Sequence, residues 1–470
     1  MKLFRPLLLS AAVVFAAGAD AWSFSSSKPA APASTLGTHQ TLVKSWSVEG
    51  DDVLRTLRVN DIARVFVDYD ASLDAGVAAK IVFSGDNSKL LDALEVAEVE
   101  GASDAVEIRL VNQAFENHGF LLTQVTVRDK QALNSVVVEG SADVIVGADV
   151  LVQTNTSATV AFSITGSGNI FAGSDSTAFA LSGVDVSSSG SGNLQFLSKS
   201  LDLTDALSIS VTSSGDVAIV SDKIKVDGAI ETVVAGSGDV YVQAESVVTT
   251  NLTTSIVGSG DVTYSQDGSC ELQTASIAGS GDLAAGSIKC VDTDVNMIGS
   301  GDVLVQTTRN LTASSLFSSG DVRYYGTEPA HIISSNSFRF RGSSQPVGKN
   351  QLVKPSKKNQ YDEYEVEMVP KRDVEFVALR TTTSWFSDTP NVKYLVVLDT
   401  DDEETIKQVL EEQQHQLFAK APMPQTQSMT APRPHAFGLV AFVGVAVAAV
   451  GVAAYKHKRR QERRHYQPLM

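Results

Sequence analysis

The chain has 470 residues and a formal net charge of −17 at pH 7. This acidic balance argues against a nucleic-acid partner, because binding to phosphates requires a surplus of Lys and Arg. Hydrophobic residues make up 43% of the chain, enough for a large core, and the length allows about two or three domains.

The first 21 residues have the features of a secretory signal peptide. Basic residues precede an apolar run from Leu7 to Ala17, and Ala19 and Ala21 are the small residues that a signal peptidase reads. The sequence predicts cleavage after Ala21; the alternative is an uncleaved anchor, for which the run is short. Residues 22–59 are predicted to be a flexible lead-in, because Ser25 to Thr35 is rich in Ser, Pro and Ala.

A β-domain is predicted over residues 60–345. Its first part alternates as strands at Val65 to Tyr69 and at Leu121 to Val127. Ser88 to Leu94 reads as one short helix or as a loop.

The central part of this domain is a repeat of Gly-Ser-Gly-Asp-Val, present at 236–240, 258–262 and 299–303 and in variant form elsewhere from residue 140 to residue 322. The steps from one acidic or amide residue to the next shorten from 26 to 19 residues. A period of this size indicates stacked supersecondary units. The residues that mark it are Asp143, Asn169, Asn193, Asp216, Asp239, Asp261, Asp282, Asp302 and Asp321.

Around each phrase the apolar residues follow a period of two. The positions one and three after the Asp are mostly apolar, as in Val240 and Val242, and so is the position five before it, as in Val234. This pattern is typical of strands. It predicts an all-β parallel β-helix of about 19–26 residues per coil, with strands about 4.8 Å apart from coil to coil.

The acidic residues of the phrase have two interpretations. In the favoured one they form a corner, where Gly allows positive φ and the side chains of Ser and Asp bond the turn's own backbone. The alternative is a ladder of cation sites, but exposed carboxylates one coil apart repel each other by only about 1 kcal/mol, so no ion is required. We therefore expect no metal and no cofactor.

Together these motifs resemble the family called putative auto-transporter adhesin head, or GIN domain. The resemblance covers residues of about 60–325 and implies a β-helical, surface-exposed protein; it brings no catalytic or binding residues. The stretches that carry it, besides the repeated phrase, are Ser88 to Leu91, Val106 to Leu110, Leu121 to Val127 and Leu133 to Gly140.

Two cysteines are present, and the repeat brings them together. Cys270 lies nine residues after Asp261, and Cys290 lies eight after Asp282, so both occupy nearly the same place on consecutive coils. Their α-carbons should be about 5 Å apart, within the range of a disulfide. The sequence predicts that bridge, and the alternative is a pair of buried free thiols.

Three sequons follow the predicted signal peptide, so Asn155, Asn251 and Asn310 are candidates for N-glycosylation. Asn251 and Asn310 lie ten and eleven residues before the next Asp of the repeat. We expect both at about the same exposed corner.

Residues 346–420 are predicted to form a small α+β region. Val374 to Leu379 and Val392 to Leu398 read as strands, and Thr400 to Glu403 is a capping box that opens a helix. The region is either a separate module or a cap on the open end of the β-helix. The apolar face of the predicted helix consists of Ile406, Val409, Leu410 and Leu417.

The remainder predicts a single-pass membrane protein. A Pro-rich stalk at 421–435 leads to residues 436–455, which are long and apolar enough to span a bilayer, and a basic tail follows at 456–470. The positive-inside rule places the tail in the cytoplasm. Tyr466 and Leu469 fit a sorting motif that an adaptor would bind; the alternative is a chance match.

The predicted function is that of an adhesin-like surface glycoprotein. Between Ser141 and Val322 the chain has no His, and its basic residues are few, which argues against an enzyme that acts on polysaccharides. The expected ligand is an extracellular glycan or a cell-surface protein, and the expected location is the plasma membrane, with the endolysosomal membrane as the alternative. The rival function is a structural coat. An exposed aromatic stripe would favour glycan binding, and a face rich in Ser and Thr would favour the coat.

Overall fold

The computed structural model describes residues 22–34, 36–315, 318–336, 352–356, 363–384, 391–398 and 404–408. They form one 23-stranded sheet, which winds into a parallel β-solenoid of about nine turns. The other elements are a short helix, α1 (Ser88–Asp92), and a helical turn at 404–408. The prediction of a parallel β-helix is confirmed for these residues.

The strands that precede the regular coils are β1 (Ser23–Ser26), β2 (Leu42–Glu49), β3 (Thr56–Asn60), β4 (Val65–Tyr69), β5 (Val77–Gly85), β6 (Leu94–Val99), β7 (Ala102–Leu110), β8 (Phe115–Val127), β9 (Ser135–Gly140) and β10 (Val144–Val146). The others are β11 (Thr154–Gly166), β12 (Ile170–Ser188), β13 (Leu194–Val211), β14 (Val217–Gly236), β15 (Val240–Gly258), β16 (Val262–Gly279), β17 (Leu283–Gly299), β18 (Val303–Ser315), β19 (Val322–Tyr325), β20 (His331–Asn336), β21 (Leu352–Ser356), β22 (Glu375–Thr382) and β23 (Asn391–Leu398).

Each regular coil is nearly one continuous strand that bends around the core. β14 pairs in parallel with β15 from Val217 opposite Val240 to Gly236 opposite Gly258. Residues at the same place in successive repeats therefore stack on one another. The predicted apolar positions form columns inside the solenoid, and Val240, Val242 and Val234 are fully buried. Burial of each such side chain stabilises the fold by roughly 1.5–3 kcal/mol.

The glycines of the repeat allow the corners of consecutive coils to approach closely. A Cβ on Gly238 would lie 2.2 Å from the carbonyl oxygen of Gly215, and a Cβ on Gly260 would lie 2.1 Å from that of Gly238. These distances are far below van der Waals contact with a backbone atom that cannot move aside. Gly258 also has φ +140°, a conformation that side chains disfavour.

The N-terminal end of the solenoid is closed by antiparallel strands. β2 pairs with β5, and β5 pairs with β8, which in turn pairs in parallel with β4. α1 begins after Asn87, whose side chain accepts hydrogen bonds from the N–H groups of Lys89 and Leu90. The sequence left Ser88 to Leu94 open between helix and loop, and the structure has the helix.

Residues 22–59 differ from the predicted flexible lead-in, because they contain β1, β2 and β3. β1 pairs with β2, and the side chains of Trp22, Val48 and Leu57 are buried in the main core. Only Ser25 to Thr35 is rich in Ser, Pro and Ala. The rest of the segment contains the alternating strand Leu42–Glu49, which the composition of Ser25 to Thr35 does not represent.

The described strands of the predicted α+β region, β21, β22 and β23, are part of the same sheet. β22 pairs antiparallel with both β23 and β8, so the chain returns to the N-terminal end of the solenoid. The region is thus not a separate module, since β21 covers β19 at the C-terminal end of the solenoid and β22 joins the N-terminal end. Ile406, in the turn at 404–408, packs against Phe120 and Phe376 at the closed end; Val409, Leu410 and Leu417 lie outside the described residues.

An extended segment, the strap (residues 363–374), precedes β22 and lies along one face of the solenoid, where it contacts β13 and β15. The N–H of Glu367 donates to Oε1 of Gln195 at 2.8 Å, and Nε2 of Gln195 donates to the carbonyl of Glu367 at 3.0 Å. The N–H of Tyr364 donates to Oε1 of Gln243 at 3.0 Å. Nearer β22, Arg372 pairs with Asp68 at 2.5 Å. The strap therefore contacts coils far apart in the chain.

A buried ion pair fixes the end of the strap. Nη2 of Arg64 lies 2.7 Å from Oε1 of Glu375, and the N–H of Arg64 donates to Oε2 at 3.0 Å. The Glu375 side chain is only 2% exposed. This contact joins residues 311 positions apart.

Replacing Glu375 with Gln should destabilise the protein by about 3 kcal/mol, because the substitution leaves a buried guanidinium without its countercharge. The measurement is the free energy of unfolding by urea titration. Glu365→Gln, on the exposed part of the strap, is the matched control and should change stability by less than about 0.5 kcal/mol. Equal effects of the two substitutions would contradict the role of the ion pair.

Candidate interaction surface

The acidic residues of the repeat form a column of side-chain hydrogen bonds along the first corner. Oδ1 of Asp216 accepts from the N–H of Asp239 at 2.7 Å, and Oδ1 of Asp239 accepts from the N–H of Asp261 at 2.7 Å. The same bond recurs from Asp143 to Asp321, and Asn169 and Asn193 make it with their amide oxygens. Each side chain thus binds the backbone of the next coil, whereas the sequence predicted a bond to the backbone of its own turn.

Burial perturbs two carboxyls of this column. Burial raises the pKa of Asp239, the hydrogen bond from the N–H of Asp261 opposes the rise, and the charge of Asp216 adds to it. The pKa of Asp282 is also raised, first by burial and then by the carboxylates of Asp261 and Asp302, while its bond from the N–H of Asp302 opposes the rise. Arg323 lowers this pKa slightly. Among the described residues, no group of three or more His, Cys, Asp or Glu is placed to hold a metal ion.

The double substitution Asp239→Asn and Asp282→Asn should leave the protein at least as stable at pH 7. Because both pKa values are raised in the folded chain, the carboxyls favour folding while protonated, below about pH 4, and that contribution is lost as the pH rises through the folded values. Asn keeps the Oδ1 acceptor, as Asn169 and Asn193 do. Stability should therefore fall less between pH 4 and pH 7 in the variant.

Urea titrations at the two pH values measure this difference, and Asp267→Asn, at an exposed position outside the column, is the control. A variant clearly less stable than the natural chain at pH 7 would contradict the prediction. It would indicate that the carboxylate charges are needed, as a bound cation would require.

The two cysteines lie opposite each other in β16 and β17 and form a disulfide, with Cα atoms 4.4 Å apart. Both side chains are nearly buried, with Cys270 5% and Cys290 0% exposed. The bridge joins consecutive coils at what we call the second corner, the part of each coil that contains Cys270 in β16 and Cys290 in β17.

Thiol alkylation of the folded, secreted protein without reductant should modify neither cysteine. Removing the bridge with Cys270→Ser and Cys290→Ser should cost roughly 3 kcal/mol, because a closed loop of about twenty residues restricts the unfolded chain. Intact mass after alkylation tests the first expectation, and urea titration the second. Two alkylated cysteines in the folded protein would contradict the presence of the disulfide.

A shallow groove follows the second corner across five consecutive coils, about 19 Å along the axis. Lys289 is exposed there, while Lys225 lies 2.8 Å from Asp227 and 3.5 Å from Asp202. Its wall mixes charged, hydroxyl and aliphatic side chains, so it suits an extended polar ligand. The residues that line the groove include Lys225, Val248, Thr250, Glu271, Lys289 and Thr308.

Two of the three sequons lie beside this groove. Asn251 stacks on Leu272, which stacks on Asp292 and then on Asn310, so the two asparagines share one column. Both are half-buried, whereas the sequence predicted an exposed corner. Nδ2 of Asn310 donates to Asp292 at 2.7 Å. Asn155, on β11, is exposed.

The last part of each regular strand, such as residues 251–258 of β15, forms what we call the third face of the solenoid. This face carries columns of small polar side chains. One column runs through Ser187, Ser210, Ser255 and Ser276 on successive coils, interrupted by Val233. Within the described ranges, the exposed large hydrophobic side chains are aliphatic rather than aromatic, such as Val248 at 38% and Ile298 at 49%. A face rich in Ser, without an exposed aromatic stripe in the described ranges, is the composition expected of a coat.

Several predicted sites lie outside the described residues: the cleavage position Ala21, the segment 436–455, and the sorting motif with Tyr466 and Leu469. In the part of the chain that is described, no helix is long and apolar enough to cross a membrane. Sequence reasoning missed the strap and the Arg64–Glu375 pair, for which no short motif gives a signal.

Residues 202–327 match the model of the family described as "Putative auto-transporter adhesin, head GIN domain". No curated protein matches the chain. Among solved structures, a putative adhesin from Parabacteroides merdae is 14% identical, with 62% of this chain and 93% of that chain covered and a TM-score of 0.31.

A putative adhesin from Parabacteroides distasonis is 16% identical, with 62% and 94% covered and a TM-score of 0.31. A putative lipid binding protein from the same species is 16% identical, with 63% and 95% covered and a TM-score of 0.30.

Proposed function

We propose that this protein is a cell-surface adhesin-like binding module, carried outside the cell on a single membrane span. The observation that carries the proposal is the match of residues 202–327 to the adhesin head family, which lies within the regular coils. The predicted signal peptide, the apolar segment 436–455 and the basic tail support the location. N-glycosylation at Asn155, Asn251 and Asn310 belongs to the same proposal.

The groove at the second corner is the proposed contact surface. Its floor is held by the disulfide and by the pairing of β15 with β16 on both sides of it, so little conformational entropy is lost when a ligand binds. An extended polar ligand, such as a glycan chain or a segment of a cell-surface protein, would follow the groove along the axis. Glycans on Asn251 and Asn310 would stand at its edge.

A structural coat is the second candidate, favoured by the columns of serine on the third face. Such a coat would cover the membrane without a specific ligand. The two functions differ in one measurable respect, since only the binding module should show saturable binding that depends on the groove.

The test is expression of the full chain on cells that do not adhere, followed by binding to immobilised glycans and to other cells. Adhesion should be saturable, and Lys289→Glu should weaken it because the substitution reverses an exposed charge in the groove. Lys199→Glu, at an exposed lysine outside the groove, is the matched control. Surface expression without any saturable adhesion would favour the coat instead.

A further inference from the structure

The two ends of the solenoid differ. The N-terminal end is closed by the antiparallel strands β2, β5 and β8. At the other end β21 covers β19, but β20 pairs with β18 on one side, and no described strand pairs with its other edge.

The core is open at β20. Leu311 and Ala313 of β18 are 0% and 1% exposed. Ile332, which stacks on Leu311, is only half-buried, and Ser334, which stacks on Ala313, is exposed. Ile333, on the outer face, is 57% exposed. The last coil therefore leaves Ile332 partly accessible, whereas Leu311, at the same place on the preceding coil, is fully buried.

On the edge of β20 that faces away from β18, the backbone groups have no partner among the described residues. The N–H of Ala330 donates to the carbonyl of Thr308 in the preceding coil at 3.2 Å. Since the backbone groups of a parallel strand point alternately to either side, the N–H groups of His331, Ile333 and Ser335 point away from β18. Such an edge is a template for another strand.

We propose that the edge of β20 pairs with β20 of a second copy of this chain. His331–Asn336 contains no Asp, Glu, Lys or Arg, although the chain has a net charge of −17, so two copies meet there without repulsion between carboxylates. A two-fold antiparallel pairing of the open ends is self-complementary and closed.

The partner copy lies on a facing membrane. This step rests on the proposed function, because it uses the predicted span at 436–455. The last described residues, the turn at 404–408, pack at the closed end, beside Phe120 and Phe376, so we place that end toward the membrane. The open end then points away from the membrane, and pairing of two open ends connects two cells.

A single pair of this kind is weak. A six-residue strand buries less than the roughly 1,000 Å² expected of a stable interface. Many copies on each membrane would add avidity without new contacts. The inferred activity is thus homophilic adhesion that depends on surface density.

The experiment uses two populations of non-adherent cells with different labels, both displaying the full chain, and a third population of bare cells. Clusters that contain both labels and exclude bare cells are the expected result. Ile333→Pro removes one outward N–H without touching the β18 pairing, and Ile333→Lys places a charge at the edge, so each should abolish clustering. Ile298→Lys, at a 49% exposed position of β17, is the control and should cluster normally.

Surface levels are measured by antibody on every variant. If Ile333→Pro does not reach the surface, Ile333→Lys alone tests whether the β20 edge is needed for clustering. Clustering that survives both substitutions at Ile333, or that Ile298→Lys abolishes equally, would overturn the inference. Adhesion to bare cells or to glycans without clustering between displaying cells would also overturn it, while leaving the proposed function intact. No adhesion of any kind would defeat both.

Discussion

The architecture depends on how closely the backbones of consecutive coils approach at the first corner. A Cβ on Gly260 would lie 2.1 Å from the oxygen of Gly238, so only glycine allows the coils to stack there. This contact fixes the register, and the register then aligns each Asp side chain with the N–H of the next coil. The columns of the core follow from the same alignment.

Because the first corner is fixed, the shortening of the repeat is absorbed elsewhere. The register between coils slips between Val226 and Ala229, between Gln243 and Ser246, and between Thr263 and Gly268. The first of these slips lies at the second corner, where Val226 lines the groove, and the other two lie at the preceding bend of the coil. The irregular bends of the solenoid are thus those away from the first corner, where side chains are free to differ from coil to coil.

The sequence predicted the parts of the fold that repeat. Period-two patterning identified the buried columns that contain Val234, Val240 and Val242, and counting from the Asp residues placed Asn251 and Asn310 in one column. The half-burial of those asparagines was not predicted, because the count gives the position along a coil and not the depth of the corner.

What the sequence did not predict are contacts between distant segments. The bond between Gln195 and Glu367 spans 172 positions and uses a carboxamide that looks like any surface glutamine. The pairing of β22 with β8 likewise has no local pattern, because the alternation of a strand does not specify its partner. This pairing carries a mechanical consequence. If the chain is anchored through residues 436–455, tension from the membrane reaches the described fold through the turn at 404–408 and β23, which pairs with β22 at the closed end, and not at the last coil. The coils are then loaded from the closed end, so β20 bears tension only when a partner is bound to its edge.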